Sequence, residues 1–266
     1  MDLETFYRDE GIDVFAEVSI SDLPGPDRES VSHFFPAAGS VIVFGREVPE
    51  PVYLMPPRKK TKAMLRIAED LDKSASRFAD LLNAEHIPAI PVPLYLPVRI
   101  GDGRVQGMVR LKHIAVAGKL GTPGINSVLL NPRFGPRLLL AGVVTGRQIH
   151  PDVHVNGEKS GAPDVKNVQC TGCRRCINVC PGGAVQADGV DAFRCRTVGA
   201  WVPPPLVPAV KFLLGRTLLL KTMAPLAPWI ARAATIRCSL CVTECPKFSA
   251  SGQHDKSPDT VPVKQE

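Results

Sequence analysis

The first 169 residues of this 266-residue chain contain no cysteine, and all eight of its cysteines follow. That asymmetry implies two functional modules. Aromatic residues are scarce, at 6%. Acidic residues are outnumbered by basic ones, giving a net charge of +6 and a pI near 8.9. So mild an excess reads as a solvated basic surface. The short run Arg58, Lys59, Lys60 and Lys62 has no interleaved aromatics, so nucleic acid is not an expected partner; it reads as a loop-to-helix boundary. There is no G-x-G-x-x-G after a strand, no P-loop and no G-x-S-x-G elbow, which argues against dinucleotide, nucleotide-hydrolase and α/β-hydrolase chemistry. The histidines, His33, His86, His113, His150, His154 and His254, show no metal-ligand spacing beyond "HPDVH", whose setting is loop-like. No uncharged apolar run reaches the roughly 20 residues of a membrane span; the one after Lys221 ends at Arg232. The opening "MDLETFYRDEGIDVF" has neither an apolar signal core nor a twin arginine, so the expected location is the cytoplasm. Thiols stay reduced there, and disulfides are not expected.

What is present begins with "CTGCRRCINVCP", residues 170–181. Cys170, Cys173 and Cys176 can converge on one face of a cubane, while Cys180, followed by Pro181, reaches a different one. This is the bacterial two-cluster ferredoxin run, whose fourth cysteine serves the other centre. It demands a second group, and "RCSLCVTECP" supplies Cys238, Cys241 and Cys245 before Pro246. Cys195 in "AFRCR" completes two sets of four. The expected sets are Cys170, Cys173, Cys176 and Cys245 for one [4Fe–4S] cluster, and Cys180, Cys195, Cys238 and Cys241 for the other. Zinc also takes C-x2-C pairs, but without reciprocal C-x3-C-P tails. Unligated thiols are the remaining alternative. Cys195 is marked only by the arithmetic.

The preceding chain reads as α/β. Residues 12–20 alternate like a strand, 40–48 form a β-branched run, and "PDRESVSHFF" is a short helix. From Thr61 to Glu85, Met64, Ile67, Leu71, Ala75, Phe78 and Leu82 recur at helical steps, which predicts a core-packing helix. The proline-rich 87–98 reads as an edge strand or loop. "VQGMVRLKHIAVAG" predicts a helix ending at Gly118. In "AGKLGTPGINSVLLNPRFGPRLLLAGVVTG" (117–146), glycines punctuate two strands around the turn "RFGPR". Such a loop could approach a ligand closely; by itself it reads as a turn-rich connector.

Taken together, "KLGTPGINSVLLNPRFGPRLLLAGVVT", "CTGCRRCINVCP", the lone cysteine of "DAFRCR" and "CSLCVTECP" resemble the epoxyqueuosine reductases and their relatives, the reductive dehalogenases. The resemblance covers roughly residues 30–250. It implies an α+β chain, with a nitroreductase-like α/β domain followed by a ferredoxin-like domain carrying two [4Fe–4S] clusters. It strengthens the assignment of Cys195. It implies a pocket beside the proximal cluster built from Gly121, Gly124, Asn126, Arg133, Gly135 and Arg137, with Lys112 and His113 on the preceding helix. There the clusters would feed electrons to a corrinoid, a cobalamin in the family. The family's acidic proton donor lies in a "VD-x-x-P-x-x-E" context. Here that place reads "RIGDGRVQG", with Asp102 nearby, out of register, as the weak catalytic candidate.

The expected domains are 1–150 for cofactor or substrate, a linker at 151–164, a two-cluster domain at 165–250 and a disordered tail at 251–266. The insert 201–236 is strongly apolar, with spaced cations. Its plainest reading is helices covering the clusters; partner docking or contact with a membrane surface is the other. Two functional readings follow. One is an iron–sulfur oxidoreductase, fed by a low-potential donor such as a ferredoxin or flavodoxin and acting on an acceptor in the N-terminal domain. The other is an electron-transfer module that docks a partner redox enzyme.

Overall fold

The computed structural model describes residues 3–101, 104–149, 156–158, 169–216, 220 and 222–249. Asp102, the tail 251–266 and most of the expected linker lie outside them.

A five-stranded antiparallel sheet organises the N-terminal part, in the order β3-β8-β2-β1-β9. Its strands are β1 (Val14–Ser19), β2 (Ser40–Glu47), β3 (Ala89–Pro91), β8 (Leu138–Thr145) and β9 (Asn156–Glu158). The long central pair β2–β8 runs in register from Ser40 opposite Thr145 to Glu47 opposite Leu138. Both faces are covered, so the central strands are near-continuous apolar runs. Alternate side chains nevertheless divide the work, as a period of two requires. Val14, Ala16, Val18, Val41, Val43 and Val144 face one layer with Val31 and Ile114. Phe15, Ile42, Phe44, Ala141 and Val143 face the other with Leu71, Ala75, Phe78 and Leu82.

The first layer is made by α2 (Gly25–Phe34) and α5 (Leu111–Ala117), the second by α1 (Leu3–Asp9) and the 28-residue α4 (Pro57–Ala84). Helix α4 takes the apolar stripe read from the sequence. It also starts earlier than the stripe does, with Pro57 at its first position, where a missing N–H costs nothing. The run 58–62 is therefore helix rather than boundary. A short α3 (Glu50–Leu54) precedes it.

Two further expectations are corrected. Residues 105–107 do not join the helix before Gly118. They lie in β5 (Arg104–Gly107), which pairs with β4 (Val98–Gly101), and α5 begins at Leu111. Val105 and Val109 are β-branched, and Gly107 between them is a poor helix former. The stretch 151–164 is not linker throughout, because 156–158 add edge strand β9 against Val14–Ala16. Proline-rich 87–98 supplies the opposite edge, as its missing N–H groups favour.

The short hairpin β6 (Thr122–Pro123)/β7 (Leu129–Leu130) follows α5. The cysteine-bearing part has little regular structure: α6 (Arg175–Asn178), the hairpin β10 (Val185–Gln186)/β11 (Gly189–Val190), α7 (Arg196–Gly199), α8 (Val207–Leu214), α9 (Ala227–Ala233) and α10 (Leu240–Thr243). Its shape comes from turns around the cysteines and from bonds to the sheet domain. The described parts of the insert are largely helical, but Trp201, Phe212, Trp229 and Ile230 on it are exposed. Among the described residues, no helix is long and apolar enough to cross a membrane.

Candidate functional site

The loop before α6 turns on two left-handed residues, Gly172 (φ 68°) and Arg174 (φ 57°). They curl "CTGCRRC" so that Cys176 has Cys170, Cys173 and Cys245 as charge neighbours, and burial followed by these three raises its pKa above the ordinary thiol value. Cys245 is raised by burial, with Cys173 and Cys170 adding to it.

The second gathering centres on Cys241. Burial pushes this thiol up to about 11, with Cys238, Cys195, Cys180 and then Cys176 contributing. Cys195 comes near because Gly182 has no side chain: a Cβ there would lie 2.0 Å from the Arg194 carbonyl oxygen. The turn after Cys180 therefore presses against the turn carrying Cys195. Asp191 secures the latter by accepting from the Phe193 N–H at 3.0 Å. The Cys238 N–H donates to Thr197 Oγ1 at 3.3 Å. Cys180 behaves differently from Cys241. Burial would raise it, but backbone N–H groups at 182–185 point at its sulfur and lower it. The Ala184 N–H lies 3.2 Å from Sγ. The Cys180 thiolate is thus stabilised by fixed donors.

Cys170 and Cys173 are exposed and the other six are partly buried; none is in a disulfide. Among the described residues, no three His, Cys, Asp or Glu side chains could hold a single metal ion.

The cysteine region is fastened to the sheet domain around Cys238–Cys245 and at the hairpin carrying Asp188. Asn126 Nδ2 donates to the Cys241 carbonyl at 2.7 Å. The Lys60 ammonium, buried at the start of α4, donates to Ser239 Oγ at 2.9 Å. Thr61 Oγ1 accepts from the Ile236 N–H at 2.7 Å. Arg137, 5% exposed, donates to the Phe248 carbonyl at 2.8 Å and pairs with Glu47. Phe248 is buried with Val48, Val52 and Tyr53, its ring edge-on to Tyr53 at 5.2 Å. Arg104 bridges to the Asp188 carboxylate at 2.8 Å.

Most residues expected to line a pocket are engaged within the fold. A Cβ on Gly121 would lie 2.3 Å from the Leu130 carbonyl oxygen, and one on Gly124 would lie 2.5 Å from Asn126 Oδ1. Gly135 adopts φ 55° and exchanges backbone bonds with Asn131. Packing and turn geometry account for these glycines. Lys112 donates to the Ser127 carbonyl. His113 Nδ1 lies 3.1 Å from the Asp27 carboxylate, whose other oxygen accepts from Arg110 at 2.6 Å. Arg133 is exposed over the Phe134 ring. Lys112, His113, Asn126 and Arg137 each have a partner within the fold.

Three contributors escaped the sequence reading. Asn131, fully buried, donates to the Leu120 carbonyl and accepts from the Arg133 and Phe134 N–H groups, fixing the "NPRFGPR" turn. Gly182 seats Cys195; the pair Gly182-Gly183 after Pro181 was the available signal. Tyr53 is pushed up to about 12 by burial and feels both Arg137 and Cys241, a proximity that no local pattern signals.

Comparison with known proteins gives these arrangements a context. A protein from Bacillus cereus named epoxyqueuosine reductase is 30% identical over 107 residues, which span 38% of this chain and 25% of that protein. One of the same name from Listeria monocytogenes is 29% identical over 100 residues, or 36% and 24%. Solved epoxyqueuosine reductases share the fold. The Streptococcus thermophilus structure aligns with 98% of this chain and 70% of its own, at 14% identity and a TM-score of 0.56. A selenomethionine-labelled one covers 95% and 66%, at 17% identity and 0.56. Part of the chain is thus similar in sequence to the epoxyqueuosine reductases, and its fold is similar to theirs. Its match spans about a quarter of the length of those curated proteins. No protein-family model matches the chain. One of the similar structures, from Bacillus subtilis, is described with its catalytic loop swung out of the active site.

Proposed function

We propose that the chain is an iron–sulfur oxidoreductase of the epoxyqueuosine reductase type. It would have a nitroreductase-like domain and a ferredoxin-like domain, and would pass electrons singly through two [4Fe–4S] clusters. Cys170, Cys173, Cys176 and Cys245 would hold one cluster; Cys180, Cys195, Cys238 and Cys241 would hold the other. The observation that carries this reading is the interlocked partition of the thiols. Cys176 neighbours 170, 173 and 245, while Cys241 neighbours 238, 195 and 180. Each set thus draws its fourth member across the chain, as the two-cluster run requires. The Cys176–Cys241 coupling supports adjacent clusters. When bound, such clusters supply one-electron storage. The chain's own contribution is to hold the thiolates, bury six of them partly, and donate N–H groups to the Cys180 sulfur, which tunes potential. Free thiols in this number suit the cytoplasm.

A corrinoid acceptor is the finer part of the family reading. The internal engagement of Lys112, His113, Asn126 and Arg137 favours the second reading, an electron-transfer module that passes its electrons to a partner enzyme. Anaerobic purification with about eight irons per chain, then electron paramagnetic resonance of added cob(II)alamin, tests both. An iron count near zero sinks the cluster assignment. A base-off cobalt signal restores the corrinoid seat; an unchanged free-cobalamin signal beside intact clusters leaves the transfer module.

A further inference from the structure

A groove of ≈ 680 Å³ runs between α4 and the end of α9, lined by Arg58, Lys62, Arg66, Lys73 and Arg232, with Glu69 and Asp70 among them. The two carboxylates are occupied. Glu69 pairs with Arg232 at 3.0 Å and Asp70 with Lys73 at 3.3 Å. Arg58, Lys62 and Arg66 fall one turn apart on one exposed face, and no ion pair joins them among the described residues. Arg58 sits in the first turn of α4, which contains no acid to offset it. Positive charge at that end opposes the helix dipole, a small cost to the isolated fold.

The groove is also next to the cysteines. Its far wall is 232–235, and the chain runs on to Ile236, bonded to Thr61, and then to Cys238. Lys60, inside the same cationic run, holds Ser239, between Cys238 and Cys241. Apolar surface flanks the charge. Trp229, one turn from Arg232 on α9, is 74% exposed, and Leu54, just before α4, is also 74% exposed. Exposed tryptophan beside arginines has the composition of a protein interface. The interspersed carboxylates disfavour a run of phosphates.

We propose that this groove docks an acidic one-electron carrier protein, which delivers electrons to the cluster held by Cys180, Cys195, Cys238 and Cys241; this rests on the cluster reading above. In each encounter the reduced carrier would lose one electron and the cluster held by these four cysteines would gain it, with no bond made or broken. The cations steer the encounter, and the apolar flanks hold the short-lived complex.

The test uses the holoprotein after its iron has been counted. Reduced bacterial flavodoxin, an acidic flavoprotein, is mixed anaerobically with it, and bleaching of the cluster absorbance is followed by stopped flow. The triple variant Arg58→Glu/Lys62→Glu/Arg66→Glu is expected to slow reduction about tenfold or more at low salt. The wild type is expected to slow steeply with added salt and the variant is not. The corresponding triple glutamine variant should fall between them. Photoreduction by a small deazaflavin, which needs no docking, should be the same in all. Equal flavodoxin rates in wild type and variant, or no reduction of the wild type at all, overturn the docking site while leaving the counted clusters standing. A wild type without iron ends the cluster reading, and this proposal with it. Tight binding of an RNA stem-loop that the triple variant loses, with flavodoxin rates unchanged, assigns the groove to RNA and also overturns the proposal.

Discussion

Replacing Arg137 by methionine would separate the end of the cysteine region from the sheet. The guanidinium is almost fully buried and bonds the Phe248 carbonyl at 2.8 Å, pairs with Glu47, and lies 5.7 Å from the Phe248 ring centre. Methionine roughly fills the volume, so the change isolates the polar loss. Breaking a buried ion pair costs about 3–5 kcal/mol, because the remaining charge is stranded. Here the Glu47 side chain is 31% exposed and can be rehydrated, which reduces the cost to about 2–4 kcal/mol once the abandoned Phe248 carbonyl is included. At about 2–4 °C per kcal/mol for a chain of this size, the melting midpoint should fall by about 5–15 °C. Phe248 is the third residue after Cys245. On the cluster assignment proposed above, iron at the Cys170, Cys173, Cys176 and Cys245 site should therefore be lost before the rest. Circular dichroism melts and iron per chain, both measured anaerobically, read the two effects. A variant that melts within about 2 °C of wild type and keeps all its iron would show that Arg137 does not fasten the two parts.

Other consequences are open to measurement. In the iron-free protein near pH 8, Cys180, lowered by backbone donors, should be alkylated by iodoacetamide well before Cys241, held up to about 11, because the thiolate is the reacting form; peptide mass mapping gives the order, and the reverse order refutes it. Burial would raise the Asp27 carboxyl, but hydrogen bonding and charge from His113 and then Arg110 bring it below its usual value. Its stabilisation is therefore present above the unfolded pKa of about 3.9 and is lost as pH falls through the lower folded value. Asp27→Asn should destabilise the protein at pH 6 and cost little at the acid end, as read from urea unfolding at several pH values. Phe78→Ala, at the centre of the α4 face with 0% exposure, should cost about 3–5 kcal/mol in the same assay. Asn126→Ala removes the 2.7 Å bond to the Cys241 carbonyl and should cost about 1–2 kcal/mol, together with faster loss of cluster absorbance in air.

The local architecture was legible wherever chemistry is periodic or punctuated. The apolar stripe from Leu71 to Leu82 marked the face of α4, and β-branched runs marked β1 and β2. Proline marked edge strand β3. Other features were not legible. Edge strand β9 depends on a partner, Val14–Ala16, some 140 residues away in sequence, and a three-residue strand carries no pattern of its own. The helix expected before Gly118 gave way at its start to the β4–β5 hairpin, where pairing overrode weak propensity. The glycines of 117–146 were visible, but their reason was not. A glycine needed for ligand approach and one needed for backbone packing look alike until the neighbouring carbonyl is located.

The sequence by itself determined the number, order and spacing of the eight cysteines, and thereby the demand for two sets of four, because ligand spacing is a covalent property of the chain. Only the tertiary structure decided which side chains hold those sets against the sheet. Asn126, Lys60, Thr61 and Arg137 reach Cys241, Ser239, Ile236 and Phe248 across more than a hundred residues. It also decided that the cations at the start of α4 face the turn leading to Cys238. Hydrogen bonds and charge act through space over a few ångströms, and distance along the chain does not encode that proximity.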